Sequence, residues 1–298
     1  MQLKSLIAQG TETISTSYPE REAREMGFLF LESLIGIRRH THIVEPSYEV
    51  ADSTAAEALA AFERMASGEP LQYVMGKAHF YGRDFRVTPD VLIPRPETEY
   101  LCRIILDAQV HLLRNGQYPL NILDLCTGSG CIAWTLALEL PGARVTAVDV
   151  SEGALNVAAS QEFSAEMSRT GACEPEFVYA DILKLPSGQF EGREGTFDII
   201  VSNPPYVRLS ERSLMRSNVL DHEPELALFV SDDDPLVFYR AVARWASLLL
   251  RQGGLCAVEI NEALGKETAA VFSETGFEEV KVVQDLDSRD RFVISRKA

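Results

Sequence analysis

Apolar positions along the 298-residue chain follow two different periods. As far as about residue 70 they recur at three- and four-residue spacing, the mark of amphipathic helices. Tyr18 to Ile37 is the clearest stretch. Pro19 suits a first helical turn, Glu20 and Glu22 stand where the helix dipole favours anions, and Phe28, Leu31 and Ile35 share a face. Ala51 to Ser67 reads as a second, Ala-rich helix, with Asp52 or Ser53 as its cap and Gly68 after its end. From His79 to Ile93 the period shortens, and HFYGRDFRVTPDVLI reads as a hairpin broken by Pro94 and Pro96. A helix from Glu97 to about Asn115, ending before Gly116, follows.

Beyond residue 119 short apolar runs alternate with helical patterns. The expected strands are Asn121–Leu125, Arg144–Val148, Glu176–Tyr179, Phe197–Ser202, Leu255–Ile260, Glu279–Gln284 and Arg291–Ser295. The expected helices are Gly130–Leu140, Glu152–Met167, Pro235–Leu250 and Lys266–Glu274. Strands separated by helices predict an α/β fold with a mostly parallel sheet covered on both faces. The last two strands have no helix between them and predict a terminal antiparallel hairpin. Three parts are therefore expected: a helical domain over 1–72, a hairpin linker over 73–95 and a Rossmann-like catalytic domain over 96–298.

Composition narrows the class. Apolar residues at 46% and charged residues at 24% are those of a globular protein. No apolar run is long enough to span a membrane, and the N-terminus lacks the pattern of a signal peptide, so a cytoplasmic protein is expected. Net charge is -16, spread over both parts: residues 1–90 carry 9 basic and 13 acidic side chains, and 91–298 carry 19 and 31. That balance argues against a protein built to hold bare duplex nucleic acid. Five scattered cysteines with no CxxC, and five histidines without ligand spacing, predict reduced thiols and no metal.

Two motifs carry chemistry. The first is DLCTGSG, Asp124 to Gly130, at a strand-to-helix junction, where Gly128 and Gly130 allow a tight turn and close approach of a ligand. Asp149 lies at the end of the next strand, placed to take both hydroxyls of a ribose, with Val150 beside it. A dinucleotide fingerprint fits less well, because Cys126 occupies the first glycine position and Asp124 would repel a pyrophosphate. Asp124 could instead help hold, through water, the cationic amino-acid end of S-adenosylmethionine. Asp181, after the following strand, could accept from an adenine amino group, with Ile182 against the ring.

The second motif is NPPY, Asn203 to Tyr206, after FDIIVS. Consecutive prolines fix an extended backbone without N–H groups. The Asn203 side-chain carbonyl and the Pro204 carbonyl can grip both hydrogens of a planar NH2 group, and Tyr206 supplies a flat wall. Two such acceptors orient a delocalised lone pair toward a sulfonium methyl and stabilise charge developing on nitrogen.

Together these motifs resemble the class I methyltransferases that alkylate planar NH2 groups. The flanks sharpen the resemblance: residues 70–99, HEPELAL at 222–228 and the closing DLDSRDR at 285–291 look like the PrmC/HemK family of release-factor glutamine methyltransferases. The resemblance covers roughly residues 18–298. It implies a helical N-terminal domain that helps bind the release factor, S-adenosyl-L-methionine as cofactor, and methylation of the glutamine of a Gly-Gly-Gln loop, with no metal and by a monomer. It implies cofactor contacts from Asp124, Cys126, Thr127, Gly128, Ser129, Gly130, Asp149, Val150, Asp181, Ile182 and Asn203. Asn203, Pro204 and Tyr206 would be catalytic, and Asn203, Pro204, Pro205 and Tyr206 would form the substrate slot, with Phe80 and Arg95 at its border. Two departures stand out: Cys126 where many members have Gly, tolerable if its φ is negative, and Ile182 where an aromatic is common.

Three other readings share some of these features. A ribosomal-protein glutamine methyltransferase shares NPPY and often the Cys-Thr-Gly-Ser-Gly turn, but not IPRPETE or the C-terminal run. An adenine-N6 DNA or RNA methyltransferase shares NPPY but lacks any visible basic recognition domain. A non-catalytic cofactor-binding protein would have no use for an intact NPPY.

Overall fold

A computed structural model of the chain describes residues 1–114 and 119–298. Five helices come first: α1 (Leu3–Ile14), α2 (Glu20–Ile35), α3 (Thr41–Val44), α4 (Asp52–Ala66) and α5 (Leu71–Met75). The expected cap of α4 is Asp52 or Ser53, and both lie inside the helix. Ala51 stands at the cap position without a side-chain bond, and the Asp52 carboxylate lies near the N-terminal ammonium. The apolar stripes of α1, α2 and α4 meet in one core of Leu6, Ile14, Phe30, Leu31, Phe62 and Met65. A Cβ on Gly10 would fall 2.5 Å from the Phe62 ring, so the glycine lets α1 and α4 pack closely.

The hairpin follows as β1 (Lys77–Phe80) and β2 (Arg83–Arg86), and then α6 (Pro96–Arg114). The expected C-terminal end of that helix, Asn115 and Gly116, lies outside the described residues. The alternating part runs β3 (Asn121–Leu125), α7 (Cys131–Glu139), β4 (Arg144–Asp149), α8 (Glu152–Ala159), α9 (Ser164–Thr170), β5 (Glu176–Tyr179) and β6 (Phe197–Ser202). Short elements come next: β7 (Val207–Arg208), α10 (Ser217–His222), α11 (Glu225–Leu228) and β8 (Phe229–Val230). The chain closes with α12 (Val237–Leu249), β9 (Leu250–Glu259), α13 (Gly265–Glu274), β10 (Phe277–Gln284) and β11 (Asp290–Lys297).

The chain forms two compact units. One holds residues 1–78 together with 215–222, and the other holds 79–214 and 223–298. The second unit is built on a seven-stranded sheet in the order β10-β11-β9-β6-β3-β4-β5. The five strands from β9 to β5 run parallel, and β11 is antiparallel to both β9 and β10. Apolar runs in β3 and β6 are buried on both faces, as a doubly covered sheet requires. Among the described residues no helix is long and apolar enough to cross a membrane.

One expected helix is two. The stretch from Glu152 to Met167 breaks between Ala159 and Ser164. Gln161 sits in the break, buried, accepting from the Arg86 N–H at 2.8 Å and donating to the Arg86 and Ser129 carbonyls, both at 3.0 Å. Phe163 packs on Phe85 and Trp134. These tertiary bonds tie β2 to the Gly-rich turn and outweigh helical continuation.

Candidate active site

β3 lies at the centre of the sheet with β4 on one side and β6 on the other, so the chain reverses direction across the sheet at this strand. Crevices at the carboxyl ends of strands beside such a reversal are where α/β sheets bind ligands. Here the loops after β3, β4, β5 and β6 converge on one cleft. Its walls include Cys126, Thr127, Gly128, Ser129, Asp149, Val150, Asp181, Ile182, Asn203 and Pro205. Arg95 and Thr98 line it from the start of α6, and Leu226, Ala227 and Phe238 from farther along the chain.

The two glycines of the turn have different tasks. Gly128 lines the cleft at φ +54°, and a Cβ there would meet nothing within 4 Å. Gly130, at φ +79°, is off the cleft wall: a Cβ would lie 3.0 Å from the Ala158 Cβ and 3.1 Å from the Trp134 ring. Gly130 therefore serves helix packing rather than approach of a ligand. Cys126 has φ +61°, so the negative φ on which its tolerance in the turn is conditioned is not met and the residue carries a left-handed backbone. Its side chain packs on the core under the sheet, and burial pushes its thiol well above the usual range.

Asp149 is held at two points. Its Oδ2 accepts from the Gly128 N–H and its Oδ1 from the Ser151 N–H, each at 2.9 Å. Burial raises its carboxyl above the ordinary value against those bonds. Asp181 accepts from the Leu183 N–H at 3.0 Å and lies 3.4 Å from the Lys184 ammonium, so it closes its own turn while facing the cleft. Asp124 is fully buried behind the turn and off the cleft wall. Its Oδ2 accepts from the Thr127 hydroxyl at 2.6 Å, while its Oδ1 is a buried atom without a hydrogen-bond partner. Burial pushes this carboxyl up to about 7, against the pull of Thr127.

NPPY leaves β6 where Ser202 donates to the Leu125 carbonyl at 2.7 Å, fastening the motif to the end of β3. The Asn203 Nδ2 donates to Thr98 Oγ1 at 3.1 Å, and Thr98 donates to Glu259 Oε2 at 2.7 Å. The Tyr206 hydroxyl donates to Glu259 Oε1 at 3.0 Å, and the Tyr206 carbonyl accepts from Asn261 Nδ2 at 3.1 Å. Thr98 and Glu259 are buried. The Pro204 ring is buried and the Tyr206 ring packs on the core, so neither side chain forms the cleft wall.

Two residues expected at the border differ from each other. Phe80 is fully buried, edge-on to Phe85 at 5.8 Å between ring centres, and is core rather than rim. Arg95 does line the cleft, and its guanidinium is paired with Glu223. Thr98, Glu259, Gln161, Asn261 and Glu223 were absent from the sequence-based site. Of these, Thr98 lay in IPRPETE and Glu223 in HEPELAL, stretches already singled out, but neither residue was given a role.

The sheet order, the antiparallel closing strands and the cleft at the parallel strand ends define a class I methyltransferase. Residues 119–285 match the family model described as a methyltransferase domain, and residues 5–76 match that of the PrmC N-terminal domain. The chain is 37% identical over 298 residues to the release factor glutamine methyltransferase of Bacteroides thetaiotaomicron, covering 99% of this chain and all of that one. It is 39% identical over 254 residues to that of Koribacter versatilis, covering 85% of this chain and 83% of the other. A solved structure of the release-factor-specific protein-(glutamine-N5) methyltransferase of Alicyclobacillus acidocaldarius is 31% identical, with a TM-score of 0.40, covering 72% of this chain and all of that one. The chain belongs to the release factor glutamine methyltransferase family.

Proposed function

We propose that this protein methylates the side-chain amide nitrogen of a glutamine in a peptide chain release factor, the glutamine of its Gly-Gly-Gln loop, with S-adenosyl-L-methionine as donor. The observation that carries this reading is Asn203. It lines the same cleft as the Gly-rich turn and the strand-end acids, and its Nδ2 is already bonded to Thr98. Its Oδ1 is thereby left as the acceptor for an incoming NH2 group.

The residues of the cleft fit the cofactor. Asp149 accepts one N–H on each oxygen, which leaves lone pairs for ribose hydroxyls. Asp181 and Ile182 stand where a base would lie, and Val150 and Phe238 add apolar wall. Asp124, buried behind the turn with one unpartnered oxygen and its carboxyl raised by burial, would ionise more readily with a positive charge nearby. Cys126, Thr127, Gly128 and Ser129 supply the turn around the amino-acid end. S-adenosylmethionine would contribute an electrophilic methyl group on a sulfonium.

The protein's own part is orientation. An amide nitrogen is a weak nucleophile because its lone pair is delocalised into the carbonyl. The Asn203 carbonyl accepts one of its hydrogens, and the Pro204 carbonyl, at the peptide bond leading to the wall residue Pro205, accepts the other. The lone pair is then held toward the donor side of the cleft, and carbonyl dipoles face the charge that develops on nitrogen. A substrate of this kind places the enzyme with the translation machinery in the cytoplasm.

The test offers methyl-labelled S-adenosylmethionine with a release factor, ribosomal proteins, DNA and tRNA in parallel. Label confined to the release factor, mapped by peptide mass to the glutamine, is the expected result. Label on a ribosomal protein or on nucleic acid alone would overturn it.

A further inference from the structure

Asn203, Thr98, Glu259 and Tyr206 form one hydrogen-bond chain centred on the buried pair Thr98 and Glu259, assembled from the end of β6, the first turn of α6 and the end of β9. Its members obey simple counting. A carboxylate has no hydrogen to give, so both Glu259 oxygens only accept. Tyr206 gives its hydroxyl hydrogen to Oε1, and Thr98 gives its one hydrogen to Oε2. With that hydrogen committed, Thr98 Oγ1 can only accept from its other neighbour. The neighbour is the Asn203 amide, whose NH2 and carbonyl ends have almost the same shape and differ in polarity. The acceptor at Thr98 selects the NH2 end, at 3.1 Å, and turns the carbonyl away from Thr98.

We infer that Glu259, acting through Thr98, is a positioning residue that fixes which end of the Asn203 amide faces the cleft. Glu259 touches neither substrate nor cofactor. It sets the polarity of the group that does. The inference rests on the reading that Asn203 accepts from a substrate amide.

Replacing Glu259 by glutamine keeps the shape and removes the constraint. A glutamine can accept from Thr98 while donating to Tyr206, or accept from Tyr206 while donating to Thr98. In the second arrangement the Thr98 hydrogen is free to turn to Asn203 Oδ1, and the Asn203 NH2 then faces the cleft, where it repels a substrate NH2. Thr98→Val removes the selecting acceptor altogether, whereas Thr98→Ser retains it.

The experiment compares wild type, Glu259→Gln, Thr98→Val, Thr98→Ser and the double variant Thr98→Val/Glu259→Gln in kcat on a release factor. S-adenosylmethionine affinity by calorimetry and the thermal midpoint are measured alongside. The expected result is a drop in kcat of about tenfold or more for Glu259→Gln and Thr98→Val, turnover recovered by Thr98→Ser relative to Thr98→Val, and cofactor affinity within about twofold throughout. Because the two residues act in series, the double variant should be no worse than the worse single one. Glu259→Gln turnover within about twofold of wild type would overturn the inference. So would multiplicative losses in the double variant, or losses that track cofactor affinity and thermal midpoint, since a merely structural role gives those patterns. The wild-type arm separates the two claims: no transfer to the release factor by wild type defeats the proposed function, whereas transfer that survives in Glu259→Gln defeats only this inference.

Discussion

Arg95 and Glu223 stand 128 residues apart in sequence, and one guanidinium nitrogen of Arg95 reaches both carboxylate oxygens of Glu223, at 2.7 and 2.8 Å. The Ile93 N–H also donates to Glu223 Oε2, at 3.2 Å. The Glu223 side chain is 1% exposed, and this buried carboxylate accepts from Ile93 and Arg95 of the IPRP segment beside the cleft. Removing Arg95 strands a buried charge, whereas Glu223→Gln leaves an uncharged group able to accept from both donors. Arg95→Ala is expected to lower stability by about 3 kcal/mol and to weaken cofactor binding, with Glu223→Gln milder on both counts. Chemical denaturation and calorimetry on the two variants measure the contrast.

The two glycines of the turn should separate folding from binding. Gly130→Ala meets Ala158 and Trp134 and carries a positive φ, so a loss of about 2–3 kcal/mol is expected. Gly128→Ala carries only the backbone strain, about 1 kcal/mol, but narrows the cleft. Thermal midpoints should fall mainly in the first, and cofactor affinity mainly in the second.

Cys126 holds a left-handed backbone conformation, which costs a non-glycine residue roughly 1–2 kcal/mol. Cys126→Gly relieves that strain while losing a small packed side chain and adding freedom to the unfolded chain. Stability within about 1 kcal/mol of wild type is expected, with cofactor affinity unchanged. Cys126→Val adds a β-branched side chain at the same φ and should be clearly destabilised in a urea titration.

Asp124 gives stability a pH dependence of definite sign. Its carboxyl is pushed up to about 7 in the folded chain from 3.8, so the folded state holds the proton across that interval and the unfolded state does not. Stability from this group is therefore full below pH 4, falls as pH rises, and is lost above about 7. Asp149 and Glu259 are raised by burial as well and tilt the profile the same way. Asp124→Asn should remove part of the slope between pH 4 and 7, amounting to a few kcal/mol. Denaturation at a series of pH values in both proteins reads the difference. A slope unchanged in the variant would contradict the assignment.

The legible parts of the site are those whose chemistry is contiguous. Asp124 to Gly130, Asp149, Asp181 and Asn203 to Tyr206 each lie at or just after the carboxyl end of a strand, so finding the strand places the residue. The strands Asn121–Leu125, Glu176–Tyr179 and Phe197–Ser202 fall where the apolar runs put them. Thr98 and Glu259 were not legible because each looks ordinary alone: a threonine in the first turn of a helix and a glutamate at the end of a strand. They join Asn203 and Tyr206 across separations of 105 and 53 residues. Gln161 was missed for a related reason, since its three bonds come from the hairpin and the Gly-rich turn, and the helical pattern ran through it unbroken. Phe80 was misplaced because a motif residue and a core residue read alike when both are aromatic.

The helical unit takes residues 215–222 as well as 1–78, so the polypeptide passes between the two units three times, at 78–79, 214–215 and 222–223. No single proteolytic cut can therefore part them, and a fragment ending at residue 78 lacks a piece of its own fold. The third passage is one peptide bond from Glu223, whose carboxylate is fixed beside the cleft. The helical unit is thus threaded through the sequence of the unit that carries the cleft, so moving it to another chain would mean transplanting two separate segments, 1–78 and 215–222.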